Sequence, residues 1–175
     1  MSTYLNMNNP ERRKNDFSDC PEILKEYFYY SETIRSLSAR SVNGYYIDLR
    51  TFFRFLKQYK GLVASETKFD EIPFSDIDLS FVKNITKKDI YEFLHFTLNE
   101  RSNSVATRAR KLSSIKGFFK YCTVKRSYFP DDPCQGIETP AQPKRLPKHL
   151  TLQESKELLD SVQSDFPSRD YSNLT

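Results

Sequence analysis

Apolar residues recur every three or four positions along most of this chain, in runs separated by short polar breaks. That period belongs to the α-helix, so the pattern predicts an all-helical domain. A first helix is predicted from about Pro21, with Asp19 as its cap, Glu22 completing a capping box and Pro21 in the first turn. Its buried stripe reads Ile23, Tyr27, Tyr30, Ile34 and Leu37. A second helix follows Ser38, a good N-cap, and runs to about Lys60, where Gly61 is the stop signal. Plotted at 100° per residue, Val42, Tyr45, Tyr46, Leu49, Phe52, Phe53 and Leu56 share its apolar face. Arg40, Asn43, Gly44, Thr51 and Arg54 fall opposite.

Thr86 and Asp89 form a second capping box, which opens a third helix striped by Ile90, Phe93, Leu94, Thr97 and Leu98. A fourth helix is expected from Val105 to about Lys125, with Val105, Ala109, Leu112, Ile115 and Phe119 buried. On it Thr107, Arg110, Lys111 and Ser114 fall opposite, and Arg108 lies toward the buried side near the start. The run Phe129 to Pro133 closes it.

The breaks divide the chain. Residues 1–17 are polar and aperiodic and read as a flexible tail. Residues 18–135 hold the helical domain. Within it, residues 62–85 carry five acidic and two basic residues without sustained helical period, and read as a long, solvated acidic loop with at most a short helical turn. Residues 136–150 hold three Pro and read as an extended interdomain linker. Thr151 and Glu154 make a further capping box, and the helix they open places Leu158, Leu159 and Val162 on one side. The sequence ends at Thr175, so residues 151–175 read as the first helix of a truncated second domain.

Composition narrows the class. Hydrophobic residues make up 38% of the 175, and the aromatics are all Phe (14) or Tyr (11), enough to build a core and exclude wholesale disorder. No stretch approaches the ~18 apolar residues of a membrane span. The N-terminus lacks the apolar segment of a signal peptide, so a cytoplasmic location is expected. Three widely spaced Cys and two His match neither a disulfide framework nor a metal site, so reduced thiols and no cofactor are expected.

Charge adds more through its distribution than through its total of +4. Eight basic residues and no acidic one lie between Arg101 and Arg126, which leaves 19 basic against 23 acidic residues elsewhere. An ordinary solvated helix face mixes Glu with Lys in i,i+4 pairs. An acid-free face of Arg, Lys, Thr and Ser instead suits phosphates and base edges, which points to nucleic acid. Gly44 would let the second helix approach a sugar–phosphate backbone. Lys144, Arg145 and Lys148 stand in an extended stretch of the kind that tracks phosphates. His95 reads as a partly buried structural histidine and Tyr171 as an ordinary tyrosine, since no Arg, Lys and His cluster accompanies it. No phosphate-binding glycine loop, carboxylate pair or metal-ligand spacing is visible, so no catalytic site is expected.

Three blocks carry a family resemblance. SLSARSVNGYYIDLRTFFRFL resembles the opening of the core-binding domain of tyrosine recombinases of the phage integrase, Xer-type family, in which a Ser/Thr-rich start leads into Y-x-x-D-L-x-x-F. SVATRARKLSSIKGFFKYC resembles a later helix of that domain. DPCQGIETPAQPKRLPKHLTLQESKELL is similar to the family's junction. The blocks stand in the family's order and cover most of residues 37–160. Asp132-Pro133 replaces the usual Asn-Pro, Ala141 stands where the linker's first lysine is usual, and the acidic stretch is longer than typical.

The resemblance implies a SAM-like bundle of four to five helices that grips one face of duplex DNA. Its second and fourth helices would face the major groove, and its linker would run alongside. Among the candidate contacts it selects Ser41 and Asn43, then Thr107, Arg110, Lys111 and Ser114, then Lys144, Arg145 and Lys148; Arg40 and Arg108 complete the set by position and charge. It also implies a parent that breaks and rejoins DNA without metal or nucleotide, as a tetramer of recombinase subunits, in DNA integration or chromosome dimer resolution. Arg169-Asp170-Tyr171 with Leu174 resembles a motif that precedes the first catalytic Arg, so this stretch by itself is expected to bind DNA and not to cleave it. The alternative reading is a helical protein-interaction module whose basic helix docks an acidic partner. A single-strand or RNA binder would need exposed aromatic platforms, whereas the aromatics here fall on core faces.

Overall fold

The computed structural model describes residues 17–141 and 152–165. The chain divides into two compact units, residues 1–142 and 143–175. Among the described residues the regular elements are helical and no strand occurs. The all-α architecture fits a SAM-like core-binding domain.

The first helix, α1 (Glu22–Thr33), opens on Pro21 without a side-chain cap. Asp19 does not cap it. Its carboxylate instead accepts from the Tyr46 hydroxyl at 2.9 and 3.1 Å, and Arg50 donates to the same hydroxyl at 2.8 Å. The buried side of α1 is Ile23, Leu24, Tyr27, Phe28 and Ser31. Helix α1 ends before Ile34, which is 71% exposed, so the expected stripe was one turn too long. Two helices then match their caps. Helix α2 (Ala39–Tyr59) starts on Ser38, whose hydroxyl accepts from the Ser41 N–H at 3.2 Å, and ends at Gly61 with φ +67°.

Residues 62–85 are not a solvated insertion. Ile72, Phe74, Ile77, Val82 and Ile85 are all buried in the core. Their irregular spacing hides them from a periodicity search, because a 3₁₀ turn (Phe69–Glu71) and the short helix α3 (Leu79–Lys83) interrupt the segment. The segment is tied to the far side of α2. Arg54 donates to the Ile72 carbonyl at 2.9 Å, and the buried Lys57 ammonium reaches the Pro73 carbonyl and both Asp76 oxygens at 2.8 Å. Arg101 covers the Phe69 ring at 4.2 Å, a cation–π contact. Two of the acidic residues, Asp70 and Asp76, therefore answer cations on α2.

Helix α4 (Lys87–Asn99) has the expected reciprocal capping box of Thr86 and Asp89. Asp89 also accepts from Lys60 at 3.0 Å, which joins the end of α2 to the start of α4. Ile90, Phe93 and Thr97 are buried as expected, whereas Leu98 is exposed and Phe96 takes a core place. His95 is exposed, not half-buried, and its ring meets the Asn99 amide one turn on.

Helix α5 (Val105–Lys120) is capped by Ser104 and continues as a π-helical turn, Tyr121–Lys125. Together these span the expected fourth helix. The core they close is aromatic: Phe52 meets Phe93 edge-on at 5.1 Å, Phe53 meets Phe118 at 5.8 Å, and Tyr27 meets Phe118 at 5.6 Å. Cys20, Cys122 and Cys134 are buried as thiols. In the second unit, α6 (Leu152–Asp165) leaves Leu158 and Leu159 exposed. Thr151, expected to cap it, lies outside the described residues. No described helix is long and apolar enough to cross a membrane.

Candidate nucleic-acid interface

Helices α2 and α5 pack against each other and are joined at one buried charge. Asp48, on α2, is completely inaccessible to solvent. Its Oδ2 accepts from Arg110 Nη1 at 2.6 Å and from Ser114 Oγ at 2.8 Å, and its Oδ1 accepts from Lys111 Nζ at 3.1 Å. A carboxylate without water is costly unless cations and hydrogen bonds replace its hydration. Here α5 supplies all three donors from a single turn.

This geometry corrects the expected polar face of α5. Lys111 and Ser114 are buried, and do not lie opposite the core. The expected apolar arc was too narrow because it omitted Phe118, which is fully buried. Phe118 lies seven residues, or about two turns, beyond Lys111 and one turn beyond Ser114, so both point to its side. Lys111 and Ser114 therefore meet Asp48 and not solvent. Arg108 is half-buried and donates from Nη1 to the Asn103 carbonyl at 2.8 Å, which closes the turn before α5.

The remaining candidates stay at the surface. Arg40, Ser41 and Asn43 are exposed on the first turn and a half of α2. Thr107 is half-buried at the start of α5, with its hydroxyl 3.0 Å from that of the cap Ser104. Ser38 and Ser41 repeat that arrangement on α2, also at 3.0 Å. Arg110 links the two helices: one N–H is spent on Asp48, and its side chain is 52% exposed. The guanidinium carries five donors, so several stay available for an anion while the carboxylate fixes its direction. Lys144, Arg145, Lys148 and Tyr171 lie outside the described residues. Among the described residues no group of three or more His, Cys, Asp or Glu could hold a metal ion.

Gly44 sits where Arg110 crosses α2, and a Cβ added there would stand 3.8 Å from Arg110 Nη1, an ordinary contact. At Gly117, on α5, an added Cβ would come within 2.7 Å of the buried Tyr27 hydroxyl oxygen. The same substitution should therefore have opposite effects. Gly44→Ala is expected to gain up to about 1 kcal/mol from helix propensity, whereas Gly117→Ala is expected to lose about 1–3 kcal/mol to overpacking. Urea denaturation of both variants checks this; equal gains would mean that the Tyr27 ring yields freely.

Comparison with known proteins decides the relationship. Over 155 residues the chain is 40% identical to a tyrosine recombinase XerC of Caldanaerobacter subterraneus subsp. tengcongensis, a match covering 89% of this chain and 44% of that relative. The chain is a homologue of the Xer tyrosine recombinases. A tyrosine recombinase XerD of Listeria monocytogenes serotype 4b is 28% identical over 146 residues, covering 83% of this chain and 43% of the relative. A XerC of Chlamydia caviae is 30% identical over 138 residues, with 74% and 41% covered. The chain spans less than half the length of these relatives. No protein-family model matches it, and no solved structure matches it.

The Xer resemblance and the Asp48 cluster meet at one point. Asp48 is the acid of the first recombinase-like block, and Arg110, Lys111 and Ser114 belong to the second. Sequence reasoning passed over Asp48 as a site residue. The signal was present: Asp48 lies beside Phe52 at the edge of the apolar face of its helix, where a carboxylate requires a partner.

Proposed function

We propose that this chain binds duplex DNA through the first turns of α2 and α5, as the N-terminal part of a site-specific tyrosine recombinase. The observation that carries the reading is Arg110, half-exposed between the two helices and aimed by a buried carboxylate. Arg40, Ser41, Asn43 and Thr107 flank it with the donors and charge that phosphates and base edges accept. Lys111 and Ser114 act as positioning residues, since Asp48 and the neighbouring core enclose them. Lys144, Arg145 and Lys148 extend the contact along the DNA. In the whole protein, DNA breakage and rejoining need residues beyond those of this stretch, and further recombinase subunits complete the assembly on cytoplasmic DNA. Homology to recombinases supports this reading over a module that docks an acidic protein.

Fluorescence anisotropy with a labelled duplex across a salt series tests it, with a single strand of equal length as control. Affinity for the duplex should fall steeply with salt. Arg110→Ala should weaken it several-fold and lower the slope by about one phosphate equivalent. No duplex binding at low salt, or equal binding of the single strand, would overturn the proposal.

A further inference from the structure

The eight cations between Arg101 and Arg126 are not equally available. Arg101 lies on the Phe69 ring, Arg108 is tied to the Asn103 carbonyl, and Arg110 and Lys111 hold Asp48. Lys116 donates to the Ile137 carbonyl at 2.6 Å, and Arg126 pairs with Glu26 at 3.2 Å. Lys120 and Lys125 are left, both exposed and neither within salt-bridge distance of a described carboxylate.

These two lysines line the same cavity, of about 340 Å³, between α1 and the junction of α5 with the π-helical turn. Arg35, just beyond the end of α1, is a third exposed cation on its wall, also without a described carboxylate partner. Tyr27 and Gly117 also line it. The Tyr27 hydroxyl itself is buried against Gly117, with Ser31 and Arg35 as its polar neighbours. Burial pushes the Tyr27 pKa to about 12 in spite of the Arg35 charge, which keeps the proton on oxygen at neutral pH. No carboxylate lines the cavity.

We infer that this cavity is a phosphate site, in which Arg35, Lys120 and Lys125 receive a phosphate group. Three cations without carboxylate partners around one concave surface repel each other, and a dianion or phosphodiester relieves that repulsion. The natural source is a backbone phosphate of the duplex, an assignment that rests on the DNA reading above. Gly117 lies two turns beyond Arg110 on nearly the same side of α5, about 10 Å along the helix. The cavity thus continues the surface that Arg110 begins.

The test combines two measurements on the full chain. In the anisotropy salt series, Lys120→Ala with Lys125→Ala should lower the slope by about two phosphate equivalents and weaken duplex binding at least tenfold at low salt. Both side chains are exposed, so the thermal melt should be unchanged. If the wild type binds the duplex, Arg110→Ala weakens it and the lysine double variant does not, the cavity inference fails and the DNA reading stands. If the wild type binds no duplex, the DNA reading fails, and titration with inorganic phosphate followed by amide NMR decides the cavity alone. Saturable shifts at Gly117 and Lys120 that vanish in the double variant would then assign a free phosphate ligand. Their absence in that case would overturn the site.

Discussion

Asp48→Ala is expected to destabilise the helical unit by about 3–5 kcal/mol, the range found when one partner of a buried ion pair is removed. The loss comes mainly from what the substitution leaves behind. Arg110 is half-exposed and can turn to water, but Lys111 is buried and would keep a charge with no counter-ion. Ser114 would lose its acceptor at Asp48 and retain only the Arg110 carbonyl at 3.2 Å. A double-mutant cycle with Lys111→Met isolates the coupling, because removing both charges relieves the penalty that either single change creates. Asp48→Ala with Lys111→Met should therefore be more stable than the sum of the single losses indicates. Urea denaturation gives all four stabilities. A loss below about 1 kcal/mol for Asp48→Ala would mean that Lys111 reaches solvent in the native state, and the packing described for α5 would be wrong. The same variant tests function. If Asp48 aims Arg110, Asp48→Asn should fold and yet bind duplex DNA more weakly, since the neutral amide holds the guanidinium less firmly.

A fall in stability between about pH 9 and pH 12 is the second large expected effect. Burial raises the Tyr27 pKa from 10.0 to about 12 and the Cys122 pKa from 9.0 to about 12, and it raises Cys134 as well. Each group is neutral when protonated, and the folded protein keeps that proton at pH values where the unfolded chain has released it. The unfolded state therefore binds fewer protons in this window, and stability falls as pH rises. The contribution is fully present below pH 9 and is lost progressively toward pH 12. At about 1.4 kcal/mol per pH unit, Tyr27 alone accounts for about 3 kcal/mol. Tyr27→Phe should remove that share and cost little at pH 7, because the hydroxyl it deletes has only poorly aligned polar contacts, with Ser31 and Arg35, to lose. Cys122→Ala should flatten the lower part of the curve. Denaturation midpoints at pH 8, 9.5 and 10.5 check the slope, and a flat profile would show that these groups are exposed.

The contrast between the second helix and residues 62–85 shows where sequence reading succeeds. Ser38, Gly61, Thr86 and Asp89 act on backbone groups within three or four residues of themselves, so their effect is written locally and the caps are observed as read. Asp19 had the right type and spacing for a cap, yet Tyr46, 27 residues away, holds it. Ile72, Phe74 and Ile77 enter the core from irregular backbone, where no period marks them. Their acidic neighbours look like solvated charge until Arg54 and Lys57 are seen to face them.

The same distinction governs the candidate interface. Its general position was legible, because the polar faces of two amphipathic helices follow from a fixed turn of 100° per residue, and Arg40, Asn43 and Arg110 are exposed where that rule puts them. The absence of acids between Arg101 and Arg126 was legible too, but its meaning was not. Five of those eight cations are already engaged by groups from elsewhere in the chain: Asp48 on α2, Glu26 on α1, the Phe69 ring of the acidic stretch and the Ile137 carbonyl.

By itself the sequence determined the longer helices, the caps at Ser38, Gly61 and Thr86 and most of the apolar faces that form the core, because each depends on periodicity or on neighbours within one turn. Only the tertiary structure decided which charges are spent and which remain for a ligand. Arg110 and Lys111 stand 62 and 63 residues from Asp48, and Arg126 is still more remote in sequence from Glu26. Pairing of buried charges is set by distance in space and by loss of water, and neither is encoded in local spacing.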